Sequence, residues 1–190
     1  MIYSDEELIN AKAKEFEMFV EQVGFSISSS EGMIFLEKDT NFLNKFTDYL
    51  SERMNSFKTQ YIKEIKYPIA EDAGIIISNE EIVQRILFWE NFSKSQKDFE
   101  IPNYAQNEFQ MNLYYLMFGM DNTPIYKWDK PHEIKSEIIE TFNHIIEKYP
   151  KSKAAQYLND YILFIEENNY QYDSSYNEYA RKKFPFMYGN

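Results

Sequence analysis

The sequence predicts an all-α fold: a single-domain array or bundle of about six to seven antiparallel helices spanning residues 1–190. Two observations predict it. Apolar residues recur at helical spacing through most of the chain, and each periodic stretch is bounded by N-cap residues in front and by Gly, Pro or Asn behind. The connections between these stretches are mostly short, and no Pro/Gly/Ser-rich linker divides the chain.

The elements follow in order. Ser4 and Glu7 read as a capping box, and Leu8, Ile9, Phe16, Phe19, Val20 and Val23 share one helical face ending at Gly24. Residues 25–37 carry two open readings. Phe25-Ser26-Ile27-Ser28 and Met33-Ile34-Phe35-Leu36 around a Ser/Glu/Gly turn suit a small β-hairpin, and equally a loop that plugs the core. Asp39 or Thr40 then caps a helix expected to run unbroken from Phe42 to Ile65 and to stop at Pro68.

Ser78 and Glu81 form a second capping box before Ile82, Val83, Ile86, Leu87, Trp89 and Phe92, with Trp89 expected in the core. A polar linker around Pro102 leads to a helix carrying Phe109, Leu113, Leu116 and Met117. Pro131 suits the first position of the next helix, which holds Ile134, Ile138, Phe142 and Ile145 and closes at Pro150. Ser152 caps a helix through Ile165, and a short helix is expected at 174–183. The remainder, 170–190, reads as an aromatic C-terminal tail.

The stretch Phe142 to Leu158 reads F-N-H-I-I-E-K-Y-P-K-S-K-A-A-Q-Y-L. Phe142 lies seven residues before Tyr149, Ser152 follows Pro150 by two, and Ala154 and Ala155 open the next helix. The hairpin 131–168 resembles a tetratricopeptide-like repeat with a Tyr-Pro-x-Ser turn. The resemblance covers one repeat length and implies helical-hairpin packing and a protein-binding role. The residues give a physical reason apart from the name. Proline cannot extend the first helix, serine caps the second, and alanine allows close approach.

Composition narrows the function. The 190 residues carry 31 acidic and 20 basic side chains, a formal charge of −11. That charge argues against direct contact with nucleic-acid phosphates or anionic lipid and leaves open a basic protein partner. Residues 1–50 alone hold 10 acids and 4 bases, net −6, over half of the total. With no cysteine, the chain has no thiol nucleophile and no Cys-ligated metal cluster. No basic, apolar leader and no membrane-length apolar run is read, so a cytoplasmic protein is expected. Aromatic residues make up 18% of the chain, yet Lys outnumbers Arg 17 to 3 and Ala occurs only 8 times, a pattern that AT-rich codons produce without selection for binding.

No catalytic residues, cofactor or metal ligands are assigned. There is no G-x-S-x-G, and the five glycines are too scattered for a phosphate loop. Glu133, Glu137, Glu140 and His144 form a stripe along one predicted helix. His132, about 18 Å from His144 on that helix, is too distant to share a metal with it. The stripe reads first as a solvated charged face, and otherwise as half of a carboxylate–histidine metal site in a helical-bundle enzyme or metal protein. Trp128, beside Tyr126 in a connector, carries two readings: it docks onto the bundle, the first expectation, or it stays exposed to a partner.

The candidate partner-binding residues are Glu15, Glu17, Glu21, Glu31, Glu37, Asp39, Tyr126 and Trp128. The expected function is non-enzymatic protein binding, most concretely toxin neutralisation by an immunity-type inhibitor with an acidic surface. A tetratricopeptide-like adaptor or scaffold is the alternative.

Overall fold

A computed structural model of the chain describes residues 5–30, 32–94 and 101–189. The protein is mostly helical with small antiparallel sheets, and it divides into two compact units, 1–66 and 67–190.

In the first unit, α1 (Asp5–Gln22) ends before Gly24, whose φ of +88° only glycine adopts freely. A Cβ there would also meet the Phe42 ring at 2.8 Å. The expected cap at Ser4 lies outside the described residues. The open question at 25–37 resolves as a hairpin: β1 (Phe25–Ser30) pairs antiparallel with β2 (Met33–Lys38), Ile27 opposite Leu36. Asp39 caps the short α2 (Thr40–Asn44) by accepting the Asn41 N–H at 2.8 Å.

The expected continuous helix to Ile65 does not form. The chain breaks into α2, a 3₁₀ turn at Thr47–Tyr49, and α3 (Glu52–Lys66). Side chains capture the main-chain groups there. The Thr47 hydroxyl donates to Asn44 O, the Asn55 amide donates to the carbonyls of Thr47 and Leu50, and Ser51 Oγ accepts the Met54 N–H. Such local bonds compete directly with the helical ladder. This split raises the described helices to eight.

The second unit holds the core. A two-residue hairpin, β3 (Ala70–Glu71) with β4 (Gly74–Ile75), precedes α4 (Asn79–Ser93). Ser78 caps α4 as expected, accepting the Glu81 N–H at 3.2 Å. Then come α5 (Ile101–Phe118) and the hairpin of β5 (Gly119–Met120) with β6 (Thr123–Pro124). Gly119 has φ +68°, and a Cβ there would lie 2.4 Å from Thr123 O, so this tight corner requires glycine. The two small hairpins join through Asn122 N–H to Ala73 O and Ile75 N–H to Thr123 Oγ1, both 2.9 Å.

The helix expected from Pro131 begins later. Pro131 follows a cis peptide bond, His132 lies in a turn, and Glu133 and Ile134 form isolated β-bridges. Their main chain is claimed by neighbours. Glu133 O accepts from Lys127 N–H, Ile134 N–H donates to Tyr170 O, and Lys135 N–H donates to Ile125 O. Only then does α6 (Ser136–Lys148) start. Pro150 and Ser152 turn the chain into α7 (Lys153–Glu167), Ser152 Oγ accepting the Ala155 N–H at 3.0 Å. α8 (Ser174–Lys183) occupies the expected range and is capped by Asp173. The hydroxyl and main-chain N–H of Ser175 hold the Asp173 carboxyl below its ordinary value.

Within this unit α4 packs along α5, α6 along α7, and α7 touches both α4 and α5. Ile82, Ile86, Phe109, Leu113, Phe142, Leu158 and Ile165 are buried among them. Each fully buried side chain of this size is worth about 1.5–3 kcal/mol. Trp89 is in the core, as its helix predicted. Burial pushes the phenols of Tyr114, Tyr161, Tyr176 and Tyr179 well above the ordinary tyrosine range. Among the described residues no helix is long and apolar enough to cross a membrane.

Candidate protein-binding surface

The candidate residues fall in both units. Glu15, Glu17 and Glu21 lie on α1 and are exposed, Glu37 is exposed on β2, and Asp39 is half-buried as the cap of α2. Glu31 lies outside the described residues. Glu17 and Glu21 stand one turn apart on α1, on the same side of the helix.

Charge is only half of this surface. Phe16, Met18, Phe19 and Val23 of α1 are exposed, as are Phe25, Ile27, Met33, Ile34, Phe35 and Leu36 of the hairpin. Ile34 reaches 78% exposure, and Tyr49, in the 3₁₀ turn, 86%. Side chains on both faces of the hairpin are therefore open to solvent. A two-stranded hairpin alone is marginally stable in water. The 3.6-residue periodicity of α1 reads in sequence as one apolar helical face, and the loop reading of 25–37 would have plugged the core. Only Val20 of those two elements is buried among the described residues.

Tyr126 and Trp128 do come together. Their rings meet edge to face at 5.9 Å, and Tyr126 also stacks on Tyr172 at 4.2 Å and abuts His132 at 5.2 Å. Trp128 does not dock as expected: it is 65% exposed, because its half-buried neighbour Tyr126 takes the stacking position on Tyr172. Lys127 and Glu133 form an exposed ion pair at 2.7 Å beside them, and Glu133 raises the Lys127 ammonium above its ordinary value.

The acidic stripe is shorter than predicted. Glu133 in its β-bridge and His132 in the turn before it precede α6 and so are off the helix, for the hydrogen-bonding reasons given above. Glu137, Glu140 and His144 remain on α6 and are exposed. With Asn79, Glu80, Val83 and Gln84 of α4 they line a cleft of about 470 Å³. Among the described residues no group of three or more His, Asp or Glu side chains is gathered closely enough to hold a metal ion.

One buried carboxylate escaped the sequence reading. Glu90, at 2% exposure, accepts the N–H groups of Lys153 at 2.9 Å and Ala154 at 3.4 Å, and the Lys94 ammonium at 2.7 Å. It satisfies donors at the start of α7 and ties that helix to α4, where the α7 dipole favours its charge. The signal was present: a lone carboxylate inside the apolar run Ile86 to Phe92. No family model matches the chain, and neither a curated protein nor a solved structure is similar to it.

Proposed function

We propose that the chain is a non-enzymatic protein-binding protein, and most concretely an immunity-type inhibitor that neutralises a basic bacterial toxin in the cytoplasm. The observation that carries this reading is the surface of residues 10–39. Exposed large apolar side chains of α1 and the hairpin lie on the same short elements as the carboxylates of Glu15, Glu17, Glu21 and Glu37. Aromatic side chains and Met are enriched in specific interfaces. The negative charge speeds encounter with a cationic partner and rejects anionic ones. Tyr126 and Trp128 form a second aromatic patch suited to anchoring a partner.

The test is protection. Where a neighbouring reading frame encodes a basic toxin, expression of the chain should rescue cells from it. Glu15→Lys/Glu17→Lys/Glu21→Lys should slow association and weaken rescue, and added salt should slow association of the wild-type complex. Absence of any rescue, or rescue unaffected by the triple charge reversal, would count against the reading.

The cleft between α4 and α6 favours a second reading, an adaptor that receives a short partner segment there. Titration with the partner separates the two. Shifts confined to α4 and α6 support the adaptor, and shifts in α1 and the hairpin support the inhibitor.

A further inference from the structure

Tyr126 also borders a small cleft within the second unit. Tyr114, Tyr126, Tyr172 and Tyr188 line it together with Asp121 and Asn177, around a volume of about 150 Å³. Helix α5 supplies Tyr114, the turn between β5 and β6 supplies Asp121, and α8 supplies Asn177. Tyr188 comes from a closing 3₁₀ turn, Pro185–Tyr188. At roughly 30 Å³ per water-sized volume, the cleft admits about five non-hydrogen atoms. Most of the surface it presents is polar, and none of its lining residues is Lys, Arg or His.

The lining gathers oxygen. The Tyr114 and Tyr188 hydroxyls meet at 3.0 Å, and the Tyr126 ring stacks on Tyr172 at 4.2 Å. Burial raises the Tyr172 phenol above its ordinary value, and the nearby Tyr126, Tyr188 and Asp121 raise it further. Asp121 is exposed, and among the described residues no cation pairs with its carboxylate. Phenol oxygens and one carboxylate suit a cation with several N–H donors. Guanidinium carries its donors in one plane and also packs on aromatic rings. One of these rings already meets such a group: Arg181, outside the lining, places its guanidinium carbon 5.4 Å from the centre of the Tyr188 ring.

We propose that this cleft receives the guanidinium end of an arginine side chain from a protein partner, with Asp121 as its counter-ion and the tyrosine oxygens as further acceptors. The arginine atoms from Cδ to the two Nη number about five, the size of the space. Charge selects a cation, since the chain is acidic and the lining holds no basic residue. Tyr126 belongs both to the cleft and to the aromatic pair with the exposed Trp128, so the arginine anchors beside that indole. The protein source of the arginine rests on the protein-binding reading above, and the chemistry of the cleft does not.

The experiment titrates the full chain with methylguanidinium and follows its amide signals by nuclear magnetic resonance. Gly119, Met120, Asp121 and Asn177, all at the cleft, should shift saturably. Tetramethylammonium has the same charge and about the same size but no N–H. It should bind about tenfold more weakly, the loss expected for one charge-assisted hydrogen bond. Asp121→Asn, a substitution that a turn tolerates, should weaken methylguanidinium by a similar factor. N-acetylarginine amide should bind at least as tightly as methylguanidinium. Equal binding of the two small cations, or an affinity unchanged in Asp121→Asn, would overturn the proposal. So would cleft signals that stay fixed, or N-acetylarginine amide binding much more weakly than methylguanidinium. The titration needs no toxin, so its result stands whatever the rescue test returns.

Discussion

The two units use similar amphipathic elements to opposite ends. In residues 67–190 the apolar faces of α4, α5, α6, α7 and α8 meet one another, and Trp89, Tyr161, Tyr176 and Phe184 are lost from solvent entirely. In residues 5–66 the apolar faces of α1 and the hairpin stay open, and only Val20 and Lys58 are buried among the described residues. Periodicity thus says that a face is apolar, but not whether its cover comes from the same chain. In the second unit the cover is internal. In the first the exposed faces are what a partner would bury.

This contrast sets the sizes of substitution effects. Trp89→Ala should destabilise the second unit by about 3–5 kcal/mol, the cost of emptying a core aromatic site. Ile34→Ser, on the hairpin, should stay within about 0.5 kcal/mol. Denaturant titrations of the two variants compare them directly. Near-equal losses would mean that the hairpin has an internal cover after all.

Glu90 sharpens the account of the second unit. Glu90→Leu fills similar space but leaves the Lys153 and Ala154 N–H groups without their acceptor, so about 1–3 kcal/mol should be lost. Hydrogen exchange should show the loss concentrated at the start of α7. Ser152→Ala removes the neighbouring cap and should cost about 1 kcal/mol.

The tyrosine cluster gives the second unit a pH signature. The phenols of Tyr114, Tyr161, Tyr176 and Tyr179 are raised above the ordinary value of 10.0, chiefly by burial. A raised folded-state value contributes stability that is complete below pH 10 and is lost as pH climbs toward the folded values. Alkaline titration should therefore unfold the second unit cooperatively, with phenolate absorbance and loss of near-ultraviolet circular dichroism rising together. Gradual phenolate formation below that transition would show the cluster to be open.

Much of the second unit was legible in sequence, because its signals are local. Ser78 and Ser152 announce helix starts through their spacing to Glu81 and Ala155, and Pro150 announces a stop. Competing local bonds were not legible. The apolar spacing of Phe46, Leu50 and Met54 runs straight through the break that Thr47, Asn55 and Ser51 impose with side-chain hydrogen bonds. Pro131 reads the same in a turn as at a helix start, and only the bonds from Lys127, Tyr170 and Ile125 decide between them.

The candidate surface was half legible. Its charges could be counted in the first 50 residues, but the exposure of Phe19, Ile34 and Trp128 depends on tertiary packing that periodicity does not encode. Trp128 shows this most simply: Tyr126 holds the stacking position on Tyr172, and the tryptophan beside it faces water.

The most direct test of the central claim is affinity capture from the native host in moderate salt, comparing the wild-type chain with Phe19→Ser/Ile34→Ser/Glu17→Lys. Both baits should be folded, since all three positions are exposed. The account predicts one basic protein held by the wild type and lost by the variant. Retention of the same protein by both baits would contradict it.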